Sequence, residues 1–112
     1  MKISIPRLGR ILADAEAAYA ASRAASEEVR RISTALQSRR IERDRLGPDE
    51  HQRRSELATE VAALEAAMEA AEHDAAHASG VVSVAGGLRG RAVAFMREKG
   101  INLPAHIEEK IR

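Results

Sequence analysis

Residues 29–64 read VRRISTALQSRRIERDRLGPDEHQRRSELATEVAAL, two helical patterns interrupted once, at Leu46-Gly47-Pro48. Proline cannot continue a helical hydrogen-bond ladder, and glycine is expected to close the preceding helix with a positive φ. Upstream of this point a heptad runs in phase from Leu8. One seam position holds Leu8, Ala15, Ser22, Val29, Leu36 and Arg43; the other holds Ile11, Ala18, Ala25, Ile32, Arg39 and Leu46. A seam held this long is the signature of a coiled coil. Downstream, apolar or small residues alternate at four and three: Leu57, Val61, Leu64, Met68, Ala71, Ala75, Ala78 and Val82.

A tight turn at 47–48 folds one seam onto the other. Val29, Ile32 and Leu36 then face Leu57, Val61 and Leu64, and Ala15, Ala18, Ser22 and Ala25 face Met68, Ala71, Ala75 and Ala78. Large residues meet large and small meet small, a correspondence expected of helices that partner each other. Glu42 and Arg53 fall at paired edge positions beside the turn, where an ion pair is expected. The predicted fold is all-α: a long antiparallel helical hairpin, an Ala-rich coiled coil, with one or two short C-terminal helices.

The expected organisation is a hairpin over 1–80, with helices at about 6–46 and 48–79, followed over 81–112 by a connector and short helices. Pro6 suits the first turn of the first helix, and Pro48, with Asp49 and Glu50, the first turn of the second. Ser79-Gly80 reads as a stop. Val81 to Gly87 then either extends the helix or forms a connector. A third helix is expected from about Leu88 to Lys99, capped by Gly100, and Pro104 opens a last one carrying Ile107 and Ile111. Phe95, Met96 and Ile107 are expected to pack against Leu12 and Tyr19; left uncovered, they would form an apolar partner site.

Composition agrees with thin helices. Hydrophobic residues make up 45% of the 112, close to half of that is alanine, and the only aromatic residues are Tyr19 and Phe95. Alanine is the best helix former but buries little area, so this chain lacks the bulk to fill a β-sandwich or a doubly wound sheet. Charged residues nearly cancel to a formal +1, which argues against a general polyanion coat. With no cysteine, thiolate metal sites, thiol nucleophiles and disulfides are excluded. No apolar run reaches the ~20 residues of a membrane span, and the N-terminal region lacks the apolar stretch of a secretory signal, so a cytoplasmic location without membrane attachment is the expectation.

The arginines cluster at the hairpin tip: Arg30, Arg31, Arg39, Arg40, Arg43, Arg45, Arg53 and Arg54. Their planar forks suit carboxylates and phosphates, although Glu42, Asp44, Asp49, Glu50 and Glu56 are interleaved and favour a salt-bridged tip. Arg89 and Arg91 follow Gly86-Gly87, an arrangement that reads as a hinge, or as a helix N-terminus beside two cations where an anion would sit. The tail from Arg89 is basic, whereas Ser55–Leu88 holds no lysine or arginine. Such a chain is suited to attract itself, or to order neighbouring subunits head to tail. Glu69, His73 and His77 share a helical spacing used by metal ligands, but a solvated polar face accounts for them as well.

No nucleophile–base grouping or phosphate loop is recognisable, so neither an enzyme nor a cofactor or metal site is expected. The leading expectation is a non-enzymatic interaction or adaptor protein that binds a protein partner and self-associates through its Ala-rich hairpin. A nucleic-acid-binding accessory protein using the Arg-rich tip and basic tail competes with it, as does a small inhibitor occupying a charged groove. The residues assigned to partner binding are Arg39, Arg40, Arg43, Arg45, Arg53, Arg54, Arg89, Arg91, Phe95 and Met96.

Overall fold

The computed structural model describes residues 4–111, which form three helices and no strand. Helix α1 spans Ile5–Asp44, α2 spans His51–Glu98 and α3 spans Ala105–Ile111. The chain divides into two compact units, one of residues 4–22 with 78–111 and the other Arg23–His77.

The unit Arg23–His77 is the antiparallel hairpin. Ile32, Leu36, Leu57, Val61 and Ala71 are buried, and Ala25, Val29, Leu64, Met68 and Ala75 are half-buried. Ala35, Arg39, Leu46, Gly47, Arg53 and Glu60 are half-buried as well, and the rest of the unit is exposed, so the seam is narrow. Where the side chains become small, Ala25, Ile32, Ala70 and Ala71 line a groove of about 440 Å3 between the helices. Across the seam Arg53 Nη2 lies 2.7 Å from Glu42 Oε2, the edge pair expected from the heptad, and Arg40 Nη2 lies 3.2 Å from Glu65 Oε1.

The turn differs from the one expected. It occupies 45–50, wider than 47–48, and Gly47 has no positive φ; among the described residues only Gly100 does. Instead α1 tightens at its end, with Arg45 N–H donating to the carbonyls of Glu42 and Ile41 and Leu46 N–H to that of Arg43. Side chains satisfy the rest. Glu50 Oε2 accepts the Gly47 N–H at 3.0 Å, and Arg54 donates to the Gly47 carbonyl at 3.2 Å. Glu50 also begins α2, its carbonyl accepting the Arg54 N–H.

The other unit packs residues 5–22 of α1, 78–98 of α2 and α3 around Leu8, Ile11, Leu12, Ala92, Val93, Met96 and Ile107. Ser4 caps α1, its hydroxyl accepting the Arg7 N–H at 3.2 Å. The expected stop at Ser79-Gly80, the connector and a separate third helix are absent, because α2 continues unbroken to Glu98. Each interior glycine costs about 0.5–1 kcal/mol relative to alanine, while each buried Val, Leu or Met contributes about 1.5–3 kcal/mol. Burial of Val93 and Met96 against Leu8 and Leu12 offsets the glycines and favours a single helix.

Gly100, at φ 63°, ends α2 in a Schellman arrangement: Ile101 N–H donates to the Met96 carbonyl and Gly100 N–H to that of Arg97. Pro104 opens α3, its carbonyl accepting from Ile107 and Glu108. Of the packing expected here, Leu12, Met96 and Ile107 share the core, with Phe95 against it. Tyr19 does not join them. It is 49% exposed and sits beside Gly86, where an added Cβ would lie 3.3 Å from its hydroxyl.

Candidate interaction surfaces

The tip arginines are largely engaged within the hairpin. Arg39, a seam residue, stays half-buried with its Nε 3.4 Å from Glu60 Oε2. Arg43, assigned to the same seam, is exposed and lies 3.8 Å from Asp44. Leu46, the next seam residue, is half-buried. Arg53 joins three carboxylates: Glu42 at 2.7 Å, Glu56 at 3.2 Å and Glu60 at 3.7 Å. Its bonds to Glu42 and Glu56 raise its already high pKa further. Arg31 forks onto Glu28, and that hydrogen-bonded pair holds the Glu28 carboxyl below the usual carboxylate range. Arg40 and Arg54 are held by Glu65 and by the Gly47 carbonyl. Arg45 is different: its guanidinium makes no ion pair or hydrogen bond among the described residues, and it lines an open groove with Ile41.

The C-terminal candidates separate into structural and exposed groups. Arg89 donates to the Lys110 carbonyl at 2.9 Å, and Arg97 to that of Ile111 at 3.4 Å, so the two cap the last turn of α3. Met96 is fully buried in the core and is no docking residue. Phe95 is half-buried with Lys99 Nζ 6.0 Å from its ring centroid. Arg91 is exposed. The anion site considered at Gly86–Arg91 is not formed: these residues lie inside α2, where their N–H groups already serve the helix.

Sequence reasoning missed a surface that unbroken α2 creates. Val81, Val84 and Leu88 are 43%, 74% and 41% exposed and, at i, i+3 and i+7, share one face. The signal was the absence of any charge from Ala75 to Leu88; read as a connector, the segment had no face. Among the described residues no group of three His, Asp or Glu side chains is placed to hold a metal ion, and Glu69, His73 and His77 are exposed. No described helix is long and apolar enough to cross a membrane.

No protein-family model matches this chain, and neither a curated protein nor a solved structure shows significant similarity to it.

Proposed function

We propose that this chain is a non-enzymatic helical interaction protein, an adaptor that binds a protein partner and self-associates through its helical faces. The observation that carries the reading is the stripe Val81, Val84 and Leu88, exposed on one side of α2. Each of these partly exposed aliphatic side chains forgoes a share of the about 1.5–3 kcal/mol that full burial of one contributes. Burial against another surface recovers it. Exposed Ala62, Ala63, Ala66 and Ala70 on the hairpin add a flat face that a second helix can approach closely. Small, thin cores are commonly completed by association.

The competing nucleic-acid reading draws less support from the site. Most tip arginines are held by carboxylates of their own hairpin, and two of the tail arginines cap α3.

Sedimentation over a wide concentration range tests the proposal. Self-association that weakens in Val84→Glu and Leu88→Glu variants is the expected result. A monomer at every concentration, with unfolding independent of concentration, would remove the self-association half of the reading.

A further inference from the structure

Helix α2 carries two opposite charges placed evenly about its exposed aliphatic stripe. At the same three- and four-residue spacing, Val81, Val84 and Leu88 continue to His77 and Asp74 on one side and to Arg91 on the other. All six are exposed. Three pairs among them share one midpoint, between Val82 and Ser83: Val81 with Val84, His77 with Leu88, and Asp74 with Arg91. Neither Asp74 nor Arg91 enters an ion pair among the described residues. From Ser55 to Leu88 there is no lysine or arginine on α2 to answer Asp74. Asp74 also lines the groove of about 440 Å3 beside Ala70 and Ala71. The other carboxylate of that groove, Glu28, is held by Arg31, and no cation lines the wall.

We propose that two copies of this chain pair through this face of α2, antiparallel, about a two-fold axis that passes between Val82 and Ser83. The proposal rests on the self-association reading above and names the face that pairs and its register. A two-fold interface is self-complementary, so each contact occurs twice. In this register Val81 of each chain packs on Val84 of the other, Leu88 covers the other chain's His77, and Arg91 reaches the other chain's Asp74. The alkyl stem of Arg91 then lies along the alanines of the groove, and its guanidinium meets the carboxylate that lacks a cation. Charge selects this arrangement over its rivals. Parallel pairing would bury the aliphatic residues equally well, but would set Asp74 on Asp74 and Arg91 on Arg91. Antiparallel pairing one heptad further on would set Asp74 against Glu98 and Arg91 against Val81. Charges beside an apolar seam fix orientation and register in this way. The match is internal to the sequence: Asp74 and Arg91 each stand about 13 Å along the helix from the aliphatic centre, so a second copy satisfies both ends at once.

Sedimentation of the full chain beside charge-swapped variants tests the register. The parent is expected to dimerise. Asp74→Arg and Arg91→Asp, each alone, set like charges against each other twice per dimer and should weaken it at least about tenfold. Mixing the two variants in equal amounts should restore dimers of the parent's affinity, since every new charge then faces its opposite in the other chain. The variant carrying both substitutions should dimerise by itself for the same reason. Asp74 and Arg91 are exposed, so the circular dichroism of every variant should match the parent's. Single substitutions without effect, or a mixture as weak as its components, would overturn this register and leave self-association standing. A parent that is monomeric at every concentration would remove the self-association reading and the pairing with it.

Discussion

Arg39 Nε and Glu60 Oε2 lie 3.4 Å apart in the hairpin seam, both shielded from water and neither making a hydrogen bond. A charged pair here takes the place of an apolar contact. Although these two atoms are covered, the side chains as a whole are 40% and 41% exposed, so solvent screens the pair and its net contribution is small.

Removing Glu60 alone should cost more than removing both members of this pair. Glu60→Leu alone is expected to destabilise by about 1 kcal/mol, because Arg39 Nε is left without a partner; Arg39→Met should cost less, since Arg53 still lies 3.7 Å from Glu60. The double variant should return to within about 0.5 kcal/mol of the parent, as apolar side chains fill a seam position. Urea unfolding decides; additive losses would show that the pair contributes nothing as a pair.

Seam packing at the tip should dominate hairpin stability. Leu57 is wholly buried, and Leu57→Ala is expected to cost about 2–5 kcal/mol. Val29→Ala, at a half-buried position, should cost less. Equal losses at the two positions would mean that the seam is not the core of this unit.

The interior glycines of α2 make an unusual prediction. Beside Gly80 and Gly90 there is open space, so alanine at either should stabilise by about 0.5–1 kcal/mol. At Gly86 the Tyr19 hydroxyl must yield, so a smaller gain is expected. Gly100→Ala should destabilise by about 1–2 kcal/mol, because φ 63° suits glycine and strains a residue with a Cβ. Thermal melts of the four variants provide the check, and a loss of stability at Gly80 and Gly90 would contradict a continuous helix.

Helix α3 should be the first element to loosen. It is attached by one fully buried side chain, Ile107, by half-buried Ile111 packed against the same core, by the caps from Arg89 and Arg97, and by Lys110 3.9 Å from Glu16. In Ile107→Ala, amide exchange over 105–111 should accelerate strongly while Arg23–His77 retains its protection. Uniform acceleration across both units would argue against this local attachment.

The Glu28 carboxyl should titrate below ordinary glutamates, since Arg31 is hydrogen-bonded to its charged form. A lowered folded-state value means that the contact stabilises the fold above the ordinary glutamate range and is lost as pH falls through Glu28's own value. Carbon-13 titration of the carboxyls measures it directly. In Arg31→Gln the midpoint should rise to the ordinary range, and a midpoint already there in the parent chain would refute the contact.

The heptad by itself was sufficient to place the hairpin. Every seam position from Leu57 to Val82 is at least half withdrawn from solvent, and Glu42 meets Arg53 across the turn. Hydrophobic periodicity carries this information because a helix repeats its faces at fixed spacing, whatever it packs against. The caps at Gly100 and Pro104 were legible for the same local reason. Which arginines remain available was not legible, since Arg45 differs from Arg43 and Arg53 only in what stands beside it in space.

Helical periodicity, breaker residues and an alanine-rich composition were thus enough to specify an all-α hairpin. Tertiary contacts alone decided that α2 runs through four glycines to Glu98, that Tyr19 stays outside the core, and that Val81, Val84 and Leu88 form one exposed face. Local propensities at these points differ by only about 1 kcal/mol per residue. Packing Val93, Met96 and Ile107 around Leu8 and Leu12 is worth several times that, and so settles what the local sequence leaves balanced.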